Sequence, residues 1–235
     1  MRNIVISTGA GISAESGVHT YRDLDGLWTK YDPTEVMDIR GWKNDPAKVI
    51  DFMNMLRRTF VEAEYVPNAA HYALAKLQRE WKDGTVTIIT QNIDNLHQKA
   101  GASIVLDIHG NGSQKVCEHC GNISDYDADI VLSDSCKRCG SVASIKPNIV
   151  MFGEVPHHLY DVDQALTDCS IFAVIGSSGE VHPANTFASK AHNHGAETWL
   201  LNKEIPTKGS LWEFDKRIYG SASIAVPNWV DQLLV

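Results

Sequence analysis

The sequence predicts an α/β fold built on a doubly wound parallel sheet, and three observations carry that expectation. Short runs rich in Val, Ile and Thr recur along the chain, helical patterns lie between several of them, and polar or glycine-containing clusters follow the runs. The runs are Ile4 to Ser7, Val86 to Thr90, Ile104 to Leu106, Ile149 to Met151, Ile171 to Ile175, Thr198 to Leu201 and Ile224 to Val226, each read as a buried strand. The clearest helix follows Pro67 and Asn68: Ala70, Leu74, Leu77 and Trp81 fall on one face, and Asp83-Gly84 stops it. Strands that alternate with helices join as right-handed parallel crossovers, which puts helices on both faces of the sheet.

Two segments break the alternation. Residues 30–83 are helical in pattern, punctuated by Gly41, Pro46 and Pro67, with no convincing strand. Residues 114–146 are turn-rich and carry four cysteines. Both read as insertions that together form a small lobe, leaving residues 1–29, 84–113 and 147–235 for the large lobe. No internal repeat or low-complexity tract is present.

At 235 residues, 43% hydrophobic and 21% charged, the chain can bury a substantial core, which excludes disordered, collagenous and disulfide-scaffold classes. A formal charge of −8 argues against nucleic acid as a partner. Ile4-Val5-Ile6 is too short for a signal-peptide core, and no stretch approaches bilayer length, so no membrane partner is expected. The expectation is a cytosolic protein, a monomer, in which cysteines are metal ligands or nucleophiles before they are disulfides.

The four cysteines read Cys117-x2-Cys120-x15-Cys136-x2-Cys139. Two such knuckles bring four thiolates around one tetrahedral zinc, and four sulfur ligands leave no open position for water, so the metal is expected to be structural. Four buried or redox-active thiols are the competing account, and His119 inside the first knuckle is a competing ligand. The net charge of residues 114–146 is −1, unlike a phosphate-binding surface. Cys169 stands alone and reads as a small buried residue.

The first strand runs into Gly9-Ala10-Gly11-Ile12-Ser13-Ala14-Glu15-Ser16-Gly17. Glycines there let backbone amides close on a pyrophosphate, though G-x-G-x-x-A alone is a weak fingerprint and a ligand-free turn competes with it. A dehydrogenase would continue with a helix and an acidic ribose ligand, whereas this chain continues with a polar loop from Val18 to Trp28. Gln91-Asn92-Ile93-Asp94, Gly176-Ser177-Ser178-Gly179 and Asn202-Lys203-Glu204 each follow a strand, where open α/β sheets bind ligands. Singly these are turn residues; together they point to one edge. His109 directly follows a strand and is a candidate general base, while His71, His97, His192 and His194 fit structural roles and His157-His158 a loop.

In their order along the chain these segments resemble the sirtuin family of NAD-dependent protein lysine deacylases. The resemblance rests on Gly9-Ala10-Gly11-Ile12-Ser13 with Thr20-Tyr21-Arg22, Gln91-Asn92-Ile93-Asp94, His109-Gly110, the four cysteines, Lys146-Pro147 through Phe152-Gly153-Glu154, Gly176-Ser177-Ser178 and Asn202-Lys203-Glu204. It implies a Rossmann-type large lobe, a small lobe of helical and zinc modules, and a cleft where NAD and an acyl-lysine peptide meet. In that chemistry the acyl oxygen attacks the nicotinamide ribose, nicotinamide leaves, and His109 serves as base toward the ribose hydroxyls, ending in free lysine and O-acyl-ADP-ribose.

By the same resemblance Asn92 and Asp94 act beside His109 at the nicotinamide end, with Ile93 between them. Gln91 and Ser13 meet the ribose; Gly9, Ala10, Gly11 and Arg22 meet the phosphates, within a loop that also holds Glu15, Thr20, Tyr21 and Trp28. Gly176, Ser177, Ser178, Asn202, Lys203, Glu204 and Ala222 line the adenosine end. The peptide adds as a strand between Val150, Phe152, Gly153 and Glu154 on one side and Gly179 and Val181 on the other, so backbone pairing gives loose sequence selectivity.

Two departures qualify the likeness. Tyr21 stands where the family usually has Phe. The bacterial branch that removes acidic acyl groups carries an Ala before Asp-Gly-Leu-Trp and a Tyr-x-x-Arg pair; here those positions are Leu24, Met53 and Leu56. The carboxylate-binding arginine is missing, and Arg57 lies about 100° around the helix from position 56. The expected substrate is therefore acetyl-lysine or a longer neutral acyl-lysine. ADP-ribosyl transfer or NAD hydrolysis in the same cleft, and a non-catalytic NAD-sensing module, are the competing functions.

Overall fold

The structure, a computed structural model, describes residues 1–18, 31–205 and 214–235. The strands are β1 (Asn3–Thr8), β2 (Val86–Thr90), β3 (Val105–Asp107), β4 (Gly110–Cys117), β5 (Ile123–Asp125), β6 (Ile145–Ile149), β7 (Cys169–Ile175), β8 (Glu197–Asn202) and β9 (Lys216–Tyr219). The helices are α1 (Pro33–Val36), α2 (Ile39–Asn44), α3 (Pro46–Glu62), α4 (Ala69–Glu80), α5 (Leu96–Lys99), α6 (Leu159–Asp168), α7 (Phe187–Asn193) and α8 (Ala222–Leu234).

Six strands form one all-parallel sheet in the order β3-β2-β1-β7-β8-β9. Chain order reverses between β1 and β7, which makes their carboxyl ends the switch point where such sheets bind ligands. The register is level there: Thr8 lies opposite both Thr90 and Ile175, and Ile175 opposite Leu201. Alternate residues feed two cores, as burial on both faces requires. Ile4, Ile6, Ile88 and Ala173 pack with Leu74 and Leu77 of α4 and Trp229 of α8; Val5, Ile89, Phe172 and Leu200 pack with Leu166 of α6 and Phe187 of α7.

A third core joins Trp42, Val49, Ile50, Phe52 and Met53 to Tyr126, Ile130, Ile149 and Met151. The helical and cysteine-bearing insertions thus share one apolar interior, beside an antiparallel sheet ordered β5-β4-β6. Trp42 Nε1 also donates to Glu118 at 3.3 Å.

Four expectations change. The strand read at Ile149 to Met151 is Ile145–Ile149, and it pairs with β4 in the small sheet. The strand read at Ile224 to Val226 is part of α8: Val226, Trp229, Val230 and Leu233 recur at helical spacing, a longer-range pattern that overrides a local aliphatic run. The strand β9 went unread because Lys216 and Arg217 make it an edge strand with little apolar signal. Finally α4, read within the small-lobe segment 30–83, packs on the large sheet.

Candidate active site

The turn after β1 owes its glycines to a close backbone approach. A Cβ on Gly9 would lie 2.8 Å from the Gly176 carbonyl oxygen, and one on Gly11 2.8 Å from Gly176 Cα. Gly9 N donates to Ile175 O at 3.0 Å and Gly11 N to Gly176 O at 2.8 Å, so the two loops at the switch point are laced together. Side chains extend the lacing. Asn92 Nδ2 donates to Gly9 O and to Ser13 Oγ, both at 3.1 Å. Gln91 Nε2 donates to Ser177 Oγ at 3.4 Å, and Asn202 Nδ2 to Ser177 O at 2.9 Å. Gly9, Gly11, Ser13, Gln91, Asn92, Gly176, Ser177 and Asn202 therefore form one connected edge.

The other expected cofactor residues border it. Ala10 is half-buried within the turn, Ser178 is exposed beyond Ser177, and Lys203 and Glu204 are exposed after β8. Ile93 anchors its loop by accepting from Gly112 N at 2.8 Å, and Asp94 Oδ1 accepts from Leu96 N at 3.0 Å. Glu15 accepts from Ser223 N and Ser223 Oγ, both at 2.8 Å, which places it at the start of α8 beside Ala222. Burial pushes its carboxyl pKa up, but the Ser223 bonds outweigh this and hold it below the usual value. Thr20, Tyr21, Arg22, Leu24 and Trp28 lie outside the described residues.

His109 sits between β3 and β4 and is half-buried. Its Nδ1 lies 2.9 Å from Gln91 O. A carbonyl oxygen only accepts, so the neutral ring carries its proton on Nδ1 and leaves Nε2 with a lone pair. Burial lowers the pKa, the Gln91 bond opposes that, and nearby His157 adds to the lowering. The result is an imidazole that is neutral at neutral pH and presents a basic nitrogen, the state a general base needs.

Peptide-side candidates are arranged around the same edge. Val150 N donates to His109 O at 2.9 Å. Phe152 pairs by its backbone with the chain before α2: its N–H goes to Met37 O at 2.8 Å and its carbonyl accepts from Ile39 N at 2.9 Å. Gly153 holds φ +87°, and Glu154 is turned inward, accepting from Lys146 Nζ and from Met151 N at 2.7 Å. Gly179 N donates to Ser177 Oγ at 3.3 Å, and Val181 is exposed.

Of the acyl-pocket candidates, Met53 is 2% exposed inside the small-lobe core, and Leu56 is partly buried against it. Arg57 is engaged elsewhere: Nη2 contacts Asp129 Oδ1 at 2.6 Å, and the guanidinium lies 5.3 Å from the centroid of the Tyr126 ring. A cavity of about 500 Å³ opens beside Ile93 and Asp94, walled by Arg57, Tyr65, Val66, Pro67, Lys99 and Tyr126. A hollow of about 410 Å³ among Glu35, Arg40 and Lys48 contains none of the candidate residues.

The sulfurs of Cys117, Cys120, Cys136 and Cys139 lie within 4.8 Å of one another, and all four thiols are free. Cys117 and Cys139 are 3.8 Å apart, Cys120 and Cys136 3.7 Å. A tetrahedron with Zn–S bonds of about 2.3 Å has edges of about 3.8 Å, so the spacing suits zinc. Cys169 is buried and its thiol is pushed up to about 11 by burial, in keeping with an inert core residue. Sequence reading passed over the bonds made by Asn68, His71 and Thr8 beneath the glycine turn; the Asn68-x-x-His71 spacing, an N-terminal helix cap, was the local signal.

Comparison with known proteins identifies the family of the chain. The Sir2 family profile matches residues 9–183. The chain is 43% identical over 232 residues to the NAD-dependent protein deacylase SIR2rp3 of Trypanosoma brucei brucei, covering 98% of this chain and 94% of that protein. It is 42% identical over 233 residues to an NAD-dependent protein deacylase of Vibrio cholerae, covering 99% and 94%. Among solved structures, a Sir2 homologue in complex with NAD superposes with a TM-score of 0.82 at 30% identity, covering 99% of this chain and 91% of that one. A Sir2 protein bound to a propionylated peptide superposes with a TM-score of 0.74 at 27% identity, covering 99% and 92%.

Proposed function

The chain belongs to the Sir2 family and is an NAD-dependent protein deacylase, and on that premise we propose that it removes acetyl or longer neutral acyl groups from lysine, with His109 as general base. The observation that carries the catalytic assignment is the bond from His109 Nδ1 to Gln91 O, which leaves Nε2 unprotonated at the edge where the candidate NAD residues converge. NAD supplies an activated ribose carbon and, in nicotinamide, a leaving group. Asn92, tied to Gly9 and Ser13, fixes the loop that faces the nicotinamide end, together with Asp94. His109 takes a proton from a ribose hydroxyl, and the Val150 bond to its carbonyl keeps it in line with the peptide-binding segment. Ser177, Asn202 and Glu204 serve the adenosine end. Zinc, held by the four thiolates, crosslinks the small lobe.

The neutral-acyl preference is supported by what stands at the acyl-wall positions. Met53 is buried in the small-lobe core with Leu56 packed partly against it, neither supplying a polar group, and the Arg57 guanidinium is already paired with Asp129. A terminal carboxylate buried there loses water without gaining a partner, at a cost of several kcal/mol. A cytosolic monomer acting on proteins rather than nucleic acid completes the reading, supported by four thiols that must stay reduced and by the charge of −8.

The test is mass spectrometry of NAD incubated with acetyl, butyryl and succinyl versions of one lysine peptide. Expected products are nicotinamide, free lysine and O-acyl-ADP-ribose, with succinyl at least tenfold poorer in kcat/KM, about 1.4 kcal/mol in transition-state binding. Peptide-independent ADP-ribose would point to NAD hydrolysis, and equal efficiency on succinyl and acetyl peptides would overturn the preference.

A further inference from the structure

The segment that carries the peptide-side candidates is fastened at both ends to the backbone around His109. Val150 N donates to His109 O at 2.9 Å, and His157 N donates to Ile108 O at 3.0 Å. Gly110, next to His109, lies opposite Ile149, and a Cβ on it would lie 2.1 Å from Asn148 O, so β6 runs hard against the start of β4. Between these anchors the chain turns back on itself at residues 151–154. Glu154 N donates to Met151 O at 3.0 Å and Glu154 Oε2 accepts from Met151 N at 2.7 Å, so the backbone and the side chain of one residue close the same turn.

The other oxygen of that carboxylate meets a buried cation. Glu154 Oε1 accepts from Lys146 Nζ, and Lys146, 8% exposed in β6, is the only buried Lys or Arg among the described residues. A buried ion pair adds little net stability, because the water lost by both charges offsets their attraction, and an apolar pair of similar volume often serves the fold as well. What such a pair does add is geometry, since a charge-assisted hydrogen bond fixes a distance and a direction that apolar contact leaves loose. Here it holds the Glu154 side chain inward against the turn. The Val150 carbonyl and both the N–H and the carbonyl of Gly153 have no hydrogen-bond partner among the described residues, and Gly153 is exposed at φ +87°. These are the groups left for strand pairing with a peptide.

We propose that the Lys146–Glu154 ion pair is a positioning element for the substrate peptide: it sets the shape of the turn at residues 151–154 and, through it, the line of the Val150 carbonyl and the Gly153 backbone beside His109. This rests on the reading that residues 150–154 pair with an acyl-lysine peptide. Both side chains act through the backbone they hold.

The test uses steady-state kinetics of the full chain with an acetyl-lysine peptide, varying peptide and NAD separately, beside thermal unfolding. Lys146→Met removes the cation and leaves the carboxylate buried without it, so Tm should drop and KM for the peptide should rise at least fivefold, with KM for NAD within twofold. The deciding variant is Lys146→Met with Glu154→Gln, which removes the stranded charge but keeps an oxygen for Met151 N. It should recover most of the lost Tm while KM for the peptide stays raised at least fivefold. Recovery of peptide KM together with Tm would show that the pair matters only to the fold and would overturn the positioning role. Equal rises for peptide and NAD, or an unchanged KM for the peptide in either variant, would overturn it as well. Should Lys146→Met fail to fold, the double variant, which buries no charge at this site, carries the test by the same criteria. A wild-type chain that frees no lysine from any acyl-lysine peptide in the presence of NAD would instead overturn the reading of the site on which the proposal rests.

Discussion

Replacing Asn54 with alanine should loosen the small lobe from within. Asn54 is 5% exposed on α3, and its amide faces the cysteine-bearing segment. Nδ2 donates to Ile130 O and Oδ1 accepts from Ile130 N, both at 2.9 Å, and Oδ1 also accepts from the Tyr126 hydroxyl. Ile130 and Tyr126 are themselves buried. The substitution strands three polar groups, each costing about 1–3 kcal/mol when left unpaired. Water entering the vacated space offsets part of that, which leaves about 4 kcal/mol. For a domain of this length each kcal/mol lowers Tm by roughly 2–4 °C, so a fall of roughly 8–16 °C is expected. Tyr126→Phe removes one bond of the three and should cost about 1 kcal/mol. The assay is thermal unfolding followed by circular dichroism, with zinc release to a chromophoric chelator measured in parallel. Because Tyr126 and Ile130 share the core with Met53, release should quicken in Asn54→Ala. A fall under about 2 °C, or one no larger than that of Tyr126→Phe, would refute the reasoning.

Four further outcomes are expected. Cys117→Ser should leave less than one zinc per chain and unfold the small lobe, since structural zinc contributes about 10–16 kcal/mol in small peptides; metal-stripped protein with unchanged Tm and activity would contradict a structural role. His109→Ala should retain the fold and NAD binding while deacylation drops about 10²–10⁴-fold, with nicotinamide exchange as the residual activity; near-normal deacylation would remove His109 from the mechanism. In the unaltered enzyme the lowered His109 pKa should place the acid limb of kcat/KM below pH 6.5, and a limb above it would contradict the burial argument. Stability should also fall in mild acid. His71 and His97 are depressed to about 4 and about 3, so between pH 6.5 and those values the unfolded chain binds protons that the folded chain does not. Each ring then removes up to about 1.4 kcal/mol per pH unit, at most about 4 kcal/mol for the pair between pH 6.5 and 5. Urea unfolding at pH 7 and pH 5 checks this, and equal midpoints would show that the rings are not held neutral by the fold.

Local chemistry encodes the parts of this fold that are legible along the chain. Strands β1, β2, β7 and β8 were legible because central parallel strands are buried on both faces and must be apolar throughout. The zinc ligands were legible because two knuckles need only two short spacings, and the order of the loop motifs was enough to identify a family. Tertiary structure decided the rest, because each remaining feature depends on residues far apart in the chain. Whether Ile224 to Val226 is strand or helix was set by Trp229 and Val230 finding the α4 face. Gly9 and Gly11 are required because Gly176, more than 160 residues later, approaches too closely for a Cβ. The His109 tautomer follows from a carbonyl at Gln91, and the histidine pair beneath the turn exists only because α4 and α5 bring two rings under β1. Composition and spacing carry burial and ligand geometry, but the direction of a hydrogen bond between distant segments is fixed only once the chain has packed.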